Sequence, residues 1–221
     1  MTQRKLPVAE REAGPGAAEE ARPLRRDAEV NLTRILAAAR DVFADEGYDA
    51  SMEAIAVRAE VGVGTLYRRF PNKADLLNAV VEAARERNRR IAEAVLADVP
   101  PGEAVFEFLR RCIAAPSCWR ATISTAPWRS GGTGLEQTAP LLRELLDRSQ
   151  RAGTIRPDVD VADLVVVLMS VRSIADICDT KSSKPSRRFL ELLLDGLRPG
   201  HDPVAYDPLT VTQLDRILRR R

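Results

Sequence analysis

The residues best suited to grip a polyanion lie together in Val61–Lys73, VGVGTLYRRFPNK. The stretch carries Arg68, Arg69 and Lys73 and no acidic side chain, with Tyr67 and Phe70 as its aromatic rings and Gly62 and Gly64 near its start. Arginine can fork onto guanine O6 and N7, while lysine, threonine and tyrosine donate to phosphate oxygens. A glycine lets backbone come close to a sugar-phosphate edge. These are the groups a short helix needs to enter a DNA major groove. Leu66 and Phe70 lie four apart and mark the core-facing side. That leaves Val63, Gly64, Thr65, Tyr67, Arg68 and Arg69 on or near the other side. Taken alone, a cationic helix is more often a solvated face and Tyr67 more often core packing. The elements around it decide the matter.

Leu32, Ile35, Leu36, Ala39, Val42 and Phe43 form one apolar stripe at helical period, with Asp27 as a candidate N-cap and Gly47 as a stop. Ser51 is the candidate cap of a second helix, whose buried side is Met52, Ile55, Ala56 and Ala59. Two turns cannot stand alone in water, so this helix must pack on something. The connection Glu60-Val61-Gly62 is short enough to force a sharp angle into the next helix, which is a helix-turn-helix pattern. Pro71 stops the third helix, and Asn72 or Lys73 opens a fourth with Leu76, Leu77, Val80, Val81 and Ala84 on its stripe. Within it Arg85–Arg90 (RERNRR) is polar all round and predicts an exposed connector before Ile91, Val95 and Leu96 resume the stripe.

The run ILAAARDVFADEGYDASMEAIAVRAEVGVGTLYRRFPNKADLL, from Ile35 to Leu77, resembles the N-terminal DNA-binding domain of the TetR family of bacterial transcriptional repressors, most specifically in GTLYRRFPNK. The resemblance implies an all-helical homodimer with three DNA-binding helices and a larger C-terminal domain that takes a small molecule. It implies that Thr65, Tyr67 and Lys73 hold phosphates, with Ser51 beside them at the start of the second helix. Gly64, Arg68 and Arg69 would meet bases or adjacent phosphates, and Val63 a thymine methyl. Three positions depart from the family pattern. Glu60 stands where glycine is usual in the turn, Gly62 replaces a Ser or Thr cap, and Arg69 replaces a frequent histidine.

Composition narrows the classes that remain. Charged residues make up 30% of the chain and nearly cancel, to a formal net charge of +2, so only local patches can seek phosphate. Cys112, Cys118 and Cys178 lack metal-ligand spacing and His201 is the only histidine, so neither a metal site nor a catalytic centre is expected, and no cofactor. The N-terminus lacks the apolar core of a signal peptide, and no apolar run approaches membrane-spanning length. A cytoplasmic protein without membrane contact is the expectation.

Four regions follow. Residues 1–26 read as a disordered arm, with Arg22, Arg25 and Arg26 either reaching DNA or idle in a tail. Residues 27–84 form the helix-turn-helix domain, 85–200 a helical ligand-binding and dimerisation domain, and 201–221 a tail with a possible short helix over Leu209–Leu218. Helices are expected over Glu103–Ala115, Ser117–Thr125, Thr138–Arg151, Asp160–Cys178 and Pro185–Leu197. The last two have broad apolar faces that serve either a four-helix dimer interface or the internal core. Phe106, Cys112, Trp119, Trp128 and Met169 are the candidate effector-lining residues, with core packing as the alternative at each. The function expected is a repressor that binds a pseudo-palindromic operator as a homodimer and is released by an effector. The alternative is a dimeric sensor or scaffold without operator binding.

Overall fold

The computed structural model describes residues 16–115, 135–177 and 184–219. Among them the regular structure is helical, as expected: α1 (Gly16–Glu46), α2 (Met52–Arg58), α3 (Val63–Arg69), α4 (Lys73–Asp98), α5 (Ala104–Ala114), α6 (Leu135–Arg151), α7 (Val161–Ile177), α8 (Lys184–Gly196) and α9 (Val211–Arg219). Single 3-10 turns at Gly47–Asp49 and Pro101–Glu103 precede α2 and α5. The described residues up to Arg34 and those from Ile35 on belong to two separate units, and the sites considered below lie wholly in the second.

α1 begins at Gly16, well before the Asp27 cap expected from the sequence. The segment Ala17–Arg22 consists of strong helix formers, so the lack of apolar residues did not keep it irregular. The rest of the expected arm, residues 1–15, lies outside the described residues. In the second unit, Ile35, Ala39 and Phe43 of α1, Ile55 and Ala56 of α2, Leu66 of α3 and Leu76 and Leu77 of α4 are buried, 2% exposed or less. α2 and α3 lie against one another.

A second core joins five helices: Ala92 and Val95 of α4, Phe106 and Leu109 of α5, Leu145 and Leu146 of α6, Leu164 and Val171 of α7, and Leu190 and Leu194 of α8. Polar staples fix its register. Buried Ser149 donates to the Pro101 carbonyl at 2.9 Å and accepts from Val105 N–H at 3.3 Å, tying α6 to the start of α5. Arg110 forks onto Glu191 at 2.8 and 2.9 Å, joining α5 to α8. Arg156 forks onto Asp158, which also accepts from Val204 N–H at 2.9 Å, so the chain after α8 is strapped to the α6–α7 connection. The guanidinium, then the amide, hold the Asp158 carboxyl well below the usual carboxylate range.

Two expectations are corrected here. α6 starts at Leu135 rather than Thr138, which places Pro140 inside the helix instead of in its first turn. Arg85–Arg90 is no exposed connector: Arg85, Arg87, Asn88 and Arg89 are half-buried. Helical periodicity reports only what a segment would bury, not what packs on it. Glu86 pairs with Arg89 at 2.7 Å and Arg90 at 2.8 Å, which hold its pKa down to about 2. α9 opens with reciprocal bonds between Thr210 and Gln213, a Thr-x-x-Gln capping box legible in the sequence.

Candidate DNA-contacting surface

α2 is capped where expected. Ser51 Oγ accepts from the Ala54 N–H at 3.0 Å, and Glu53 lies in the first turn, where the helix dipole favours an acid. The helix closes through two backbone bonds. Glu60 N–H donates to the Val57 carbonyl at 3.1 Å, and Val61 N–H reaches back to Ala56 at 3.0 Å. This is a Schellman closure, and it needs a left-handed residue at position 60. Glu60 supplies it with φ 53°, the one non-glycine residue of positive φ among the described residues. The turn that glycine usually makes is therefore kept, at a backbone cost of about 1–2 kcal/mol. Glu60→Gly is expected to stabilise the protein by about 1 kcal/mol and to raise its melting temperature by roughly 2–4 °C. Thermal denaturation followed by circular dichroism checks this. An unchanged or lower midpoint would mean that the glutamate side chain contributes as much as the strain costs.

α3 is preceded by Gly62 as its N-cap, whose carbonyl accepts from Thr65 and Leu66 N–H at 2.8 and 3.1 Å without a side-chain cap. Its inward anchors are Leu66, fully buried, and Phe70, 7% exposed. Val63 and Tyr67 are 37% and 41% exposed. Gly64, Arg68 and Arg69 are exposed and Thr65 is half-buried. Arg68 is folded along its own helix, its Nε 3.3 Å from the Gly64 carbonyl and its Nη2 3.1 Å from Thr65 Oγ1. Tyr67 donates its hydroxyl to Glu53 Oε1 at 3.4 Å. These contacts are solvent-facing and weak, so they can be exchanged for a nucleic-acid acceptor at little cost.

α4 opens on Asn72, whose Oδ1 accepts from Asp75 N–H and whose amide donates back to the Asp75 carboxylate, both at 2.9 Å. Lys73 is half-buried and donates to the Tyr48 carbonyl at 2.8 Å, with Nζ 5.0 Å from the centre of the Tyr48 ring. It therefore pins α4 to the turn before α2 and keeps further N–H groups for an outside acceptor. Tyr48 and Glu53 are the residues that spacing alone does not reveal. Both act across many residues of sequence, on Lys73 and Tyr67. Ser51, Val63, Gly64, Thr65, Tyr67, Arg68, Arg69 and Lys73 thus lie at the starts of α2 and α4 and along α3.

The candidate effector-lining residues are scattered differently. Phe106 and Cys112 are fully buried in the second core, and the Arg198 guanidinium lies 4.4 Å from the centre of the Phe106 ring. Burial pushes the Cys112 thiol up to about 12, although Arg172 and Arg87 pull the other way, so it is no ready nucleophile. Met169 is half-buried on α7. Trp119 and Trp128, with the expected helix over Ser117–Thr125, lie outside the described residues. No group of three or more His, Cys, Asp or Glu among the described residues is placed to hold a metal ion. No helix among them is long and apolar enough to cross a membrane.

A helix-turn-helix with outward arginines, joined to a helical domain with its own core, is an architecture that DNA-binding transcriptional regulators use. Residues 35–80 match the model for bacterial regulatory proteins of the tetR family, and residues 100–199 match the C-terminal domain of SbtR-like transcriptional regulators. The chain belongs to the TetR family of transcriptional regulators. It is 36% identical to the TetR transcription regulatory protein from Mycobacterium vanbaalenii, over 80% of this chain and 99% of that one, with a TM-score of 0.60. It is 34% identical to the TetR regulator SCO0520 from Streptomyces coelicolor, over 77% and 99% of the two chains, also with a TM-score of 0.60. With the HTH-type transcriptional regulator UidR of Escherichia coli K12 it shares 38% identity over 65 residues, 29% of this chain. The chain spans about a third, 33%, of the length of that curated relative.

Proposed function

We propose that the protein is a ligand-responsive repressor that binds a pseudo-palindromic operator as a homodimer and leaves it when a small-molecule effector binds. In this reading residues 27–84 meet the DNA, 85–200 bind the effector and dimerise, and the chain works in the cytoplasm. Tyr67, Thr65, Lys73 and Ser51 hold phosphates. Arg68, Arg69 and Gly64 meet base edges or neighbouring phosphates, and Val63 meets a thymine methyl. Dimerisation through α7 and α8 is supported by Val166 and Leu192, which stand 42% and 59% exposed on those helices. Two copies of α3 would then sit about one DNA turn apart, ~34–36 Å.

The observation that carries the reading is Gly64. A Cβ built there meets nothing within 4 Å, and its φ is not one that demands glycine. A side chain would fit there without meeting any protein atom, so no contact within the protein requires the position to be bare. An outside backbone approaching α3 explains it. Gly64→Ala is therefore expected to leave the fold as stable or more stable, while weakening operator binding about tenfold or more. The measurement is a mobility-shift titration at several salt concentrations, on the DNA flanking the protein's own gene, beside a thermal melt. Wild-type binding should fall steeply with salt as counterions are released. Salt-insensitive binding, or undiminished binding by Gly64→Ala, would favour a sensor without operator contact.

A further inference from the structure

Lys73 opens α4, and a single residue, Tyr48, holds its ammonium in two ways. The Nζ donates to the Tyr48 carbonyl at 2.8 Å and lies over the Tyr48 ring, 5.0 Å from its centre. The two residues stand 25 apart in the chain, and both are half-buried. Tyr48 is the middle residue of the 3-10 turn Gly47–Asp49. Gly47, with φ 71°, takes the left-handed conformation that ends α1 and starts this turn. The turn thus presents carbonyl and ring together to the first residue of α4.

Both of these partners are neutral. A lysine that only ties two elements together gains most from a carboxylate. Carboxylates are close in the chain, since Asp49 follows Tyr48 and Asp75 stands two residues past Lys73. Asp75 instead takes the Asn72 amide at 2.9 Å, and Lys73 takes the carbonyl and the ring. A carbonyl and an aromatic face attract an ammonium without cancelling its charge. The carbonyl engages one of the three N–H groups, which leaves donors for an anion outside. A lysine stem has much rotamer freedom, and ordering it during association opposes binding. Ordering it in the free protein removes that penalty. We propose that Tyr48 is a positioning residue for DNA binding, whose ring and carbonyl hold the charged Lys73 ammonium where a phosphate meets the start of α4. This rests on the reading that Lys73 holds a phosphate. It adds the side chain that readies Lys73 for that contact.

The test is a double-mutant cycle on the full chain. Affinity is measured by anisotropy at several salt concentrations, on the DNA flanking the protein's own gene and on a scrambled duplex. Lys73→Met should weaken both duplexes about tenfold and make the slope of log affinity against log salt shallower by about 1, as for one lost phosphate contact. Tyr48→Leu removes the ring and keeps the carbonyl, and should weaken both duplexes about three- to tenfold. Tyr48→Phe keeps the ring face and should stay within about twofold of wild type. In the Lys73→Met background, Tyr48→Leu should add less than about twofold, because there is no ammonium left to position. A ring that merely packs would cause the same loss with or without Lys73. Additive losses, or equal binding by Tyr48→Leu and wild type, would overturn the proposal and leave the repressor reading standing. Wild type that binds neither duplex would overturn both. Should Tyr48→Leu fold poorly, the proton spectrum of wild type decides. The ring should shift the Lys73 Cε protons upfield, and Cε protons at the ordinary lysine position would sink the proposal.

Discussion

Leu66→Ala is expected to destabilise the helix-turn-helix domain by about 3 kcal/mol, the middle of the range for a fully buried leucine. Leu66 is 0% exposed and is the inward anchor of a helix that spans only Val63–Arg69. So short a helix has no stability of its own, and its order comes from the face it buries. Phe70 cannot take over, because it sits at the C-cap, where its N–H closes onto the Leu66 carbonyl but its backbone is already extended, with φ −131°. The loss should be local. The second core, around Phe106, Leu109 and Leu145, contains no residue of α3. Hydrogen exchange should show lost protection in residues 52–70 while α5 and α6 keep theirs, and operator binding should disappear with it. Uniform loss across both regions would mean that the two cores melt as one.

Arg68→Ala is expected to do the reverse, sparing the fold and weakening the DNA complex. Its contacts in the free protein are an exposed pair of bonds to its own helix, worth little to stability. A bidentate contact to guanine contributes about 1–3 kcal/mol of discrimination, so operator affinity should fall by roughly 5- to 150-fold. Binding to scrambled duplex should fall less, which narrows the gap between operator and non-operator DNA. Arg68→Lys should recover the affinity for scrambled duplex but not the gap, because lysine keeps the charge and loses the fork. Anisotropy titrations with operator and scrambled duplex, beside a melt within about a degree of wild type, decide this. A loss equal on both duplexes would reassign Arg68 from base edge to phosphate.

How much of this could be read from the chain depends on the range of the forces involved. Local signals were legible. Ser51 and Asn72 cap the helices they precede, Leu66 and Phe70 point inward, and Pro71 lies just past the end of α3. The strain at Glu60 was foreseeable too, since a turn of that length wants a left-handed residue and the chain offers no glycine there. Contacts across distance were not legible. Nothing in the spacing joins Lys73 to the Tyr48 carbonyl, Tyr67 to Glu53, or Asp158 to the Val204 amide. The half-burial of Arg85–Arg89 was hidden for a related reason. A polar run looks solvated until α5 and α6 are laid against α4.

α4 also has a mechanical meaning. It runs unbroken from Lys73, pinned beside the recognition helix, to Asp98 in the second core, and its middle is braced by the Glu86–Arg89–Arg90 ion pairs. A rigid helix is a lever. Arg87 lies about 21 Å along the axis from Lys73, so a tilt of about 5° at Arg87 swings Lys73 through roughly 2 Å. That exceeds the tolerance of a hydrogen-bond distance. The long arm turns a small tilt in the second core into a larger displacement at Lys73.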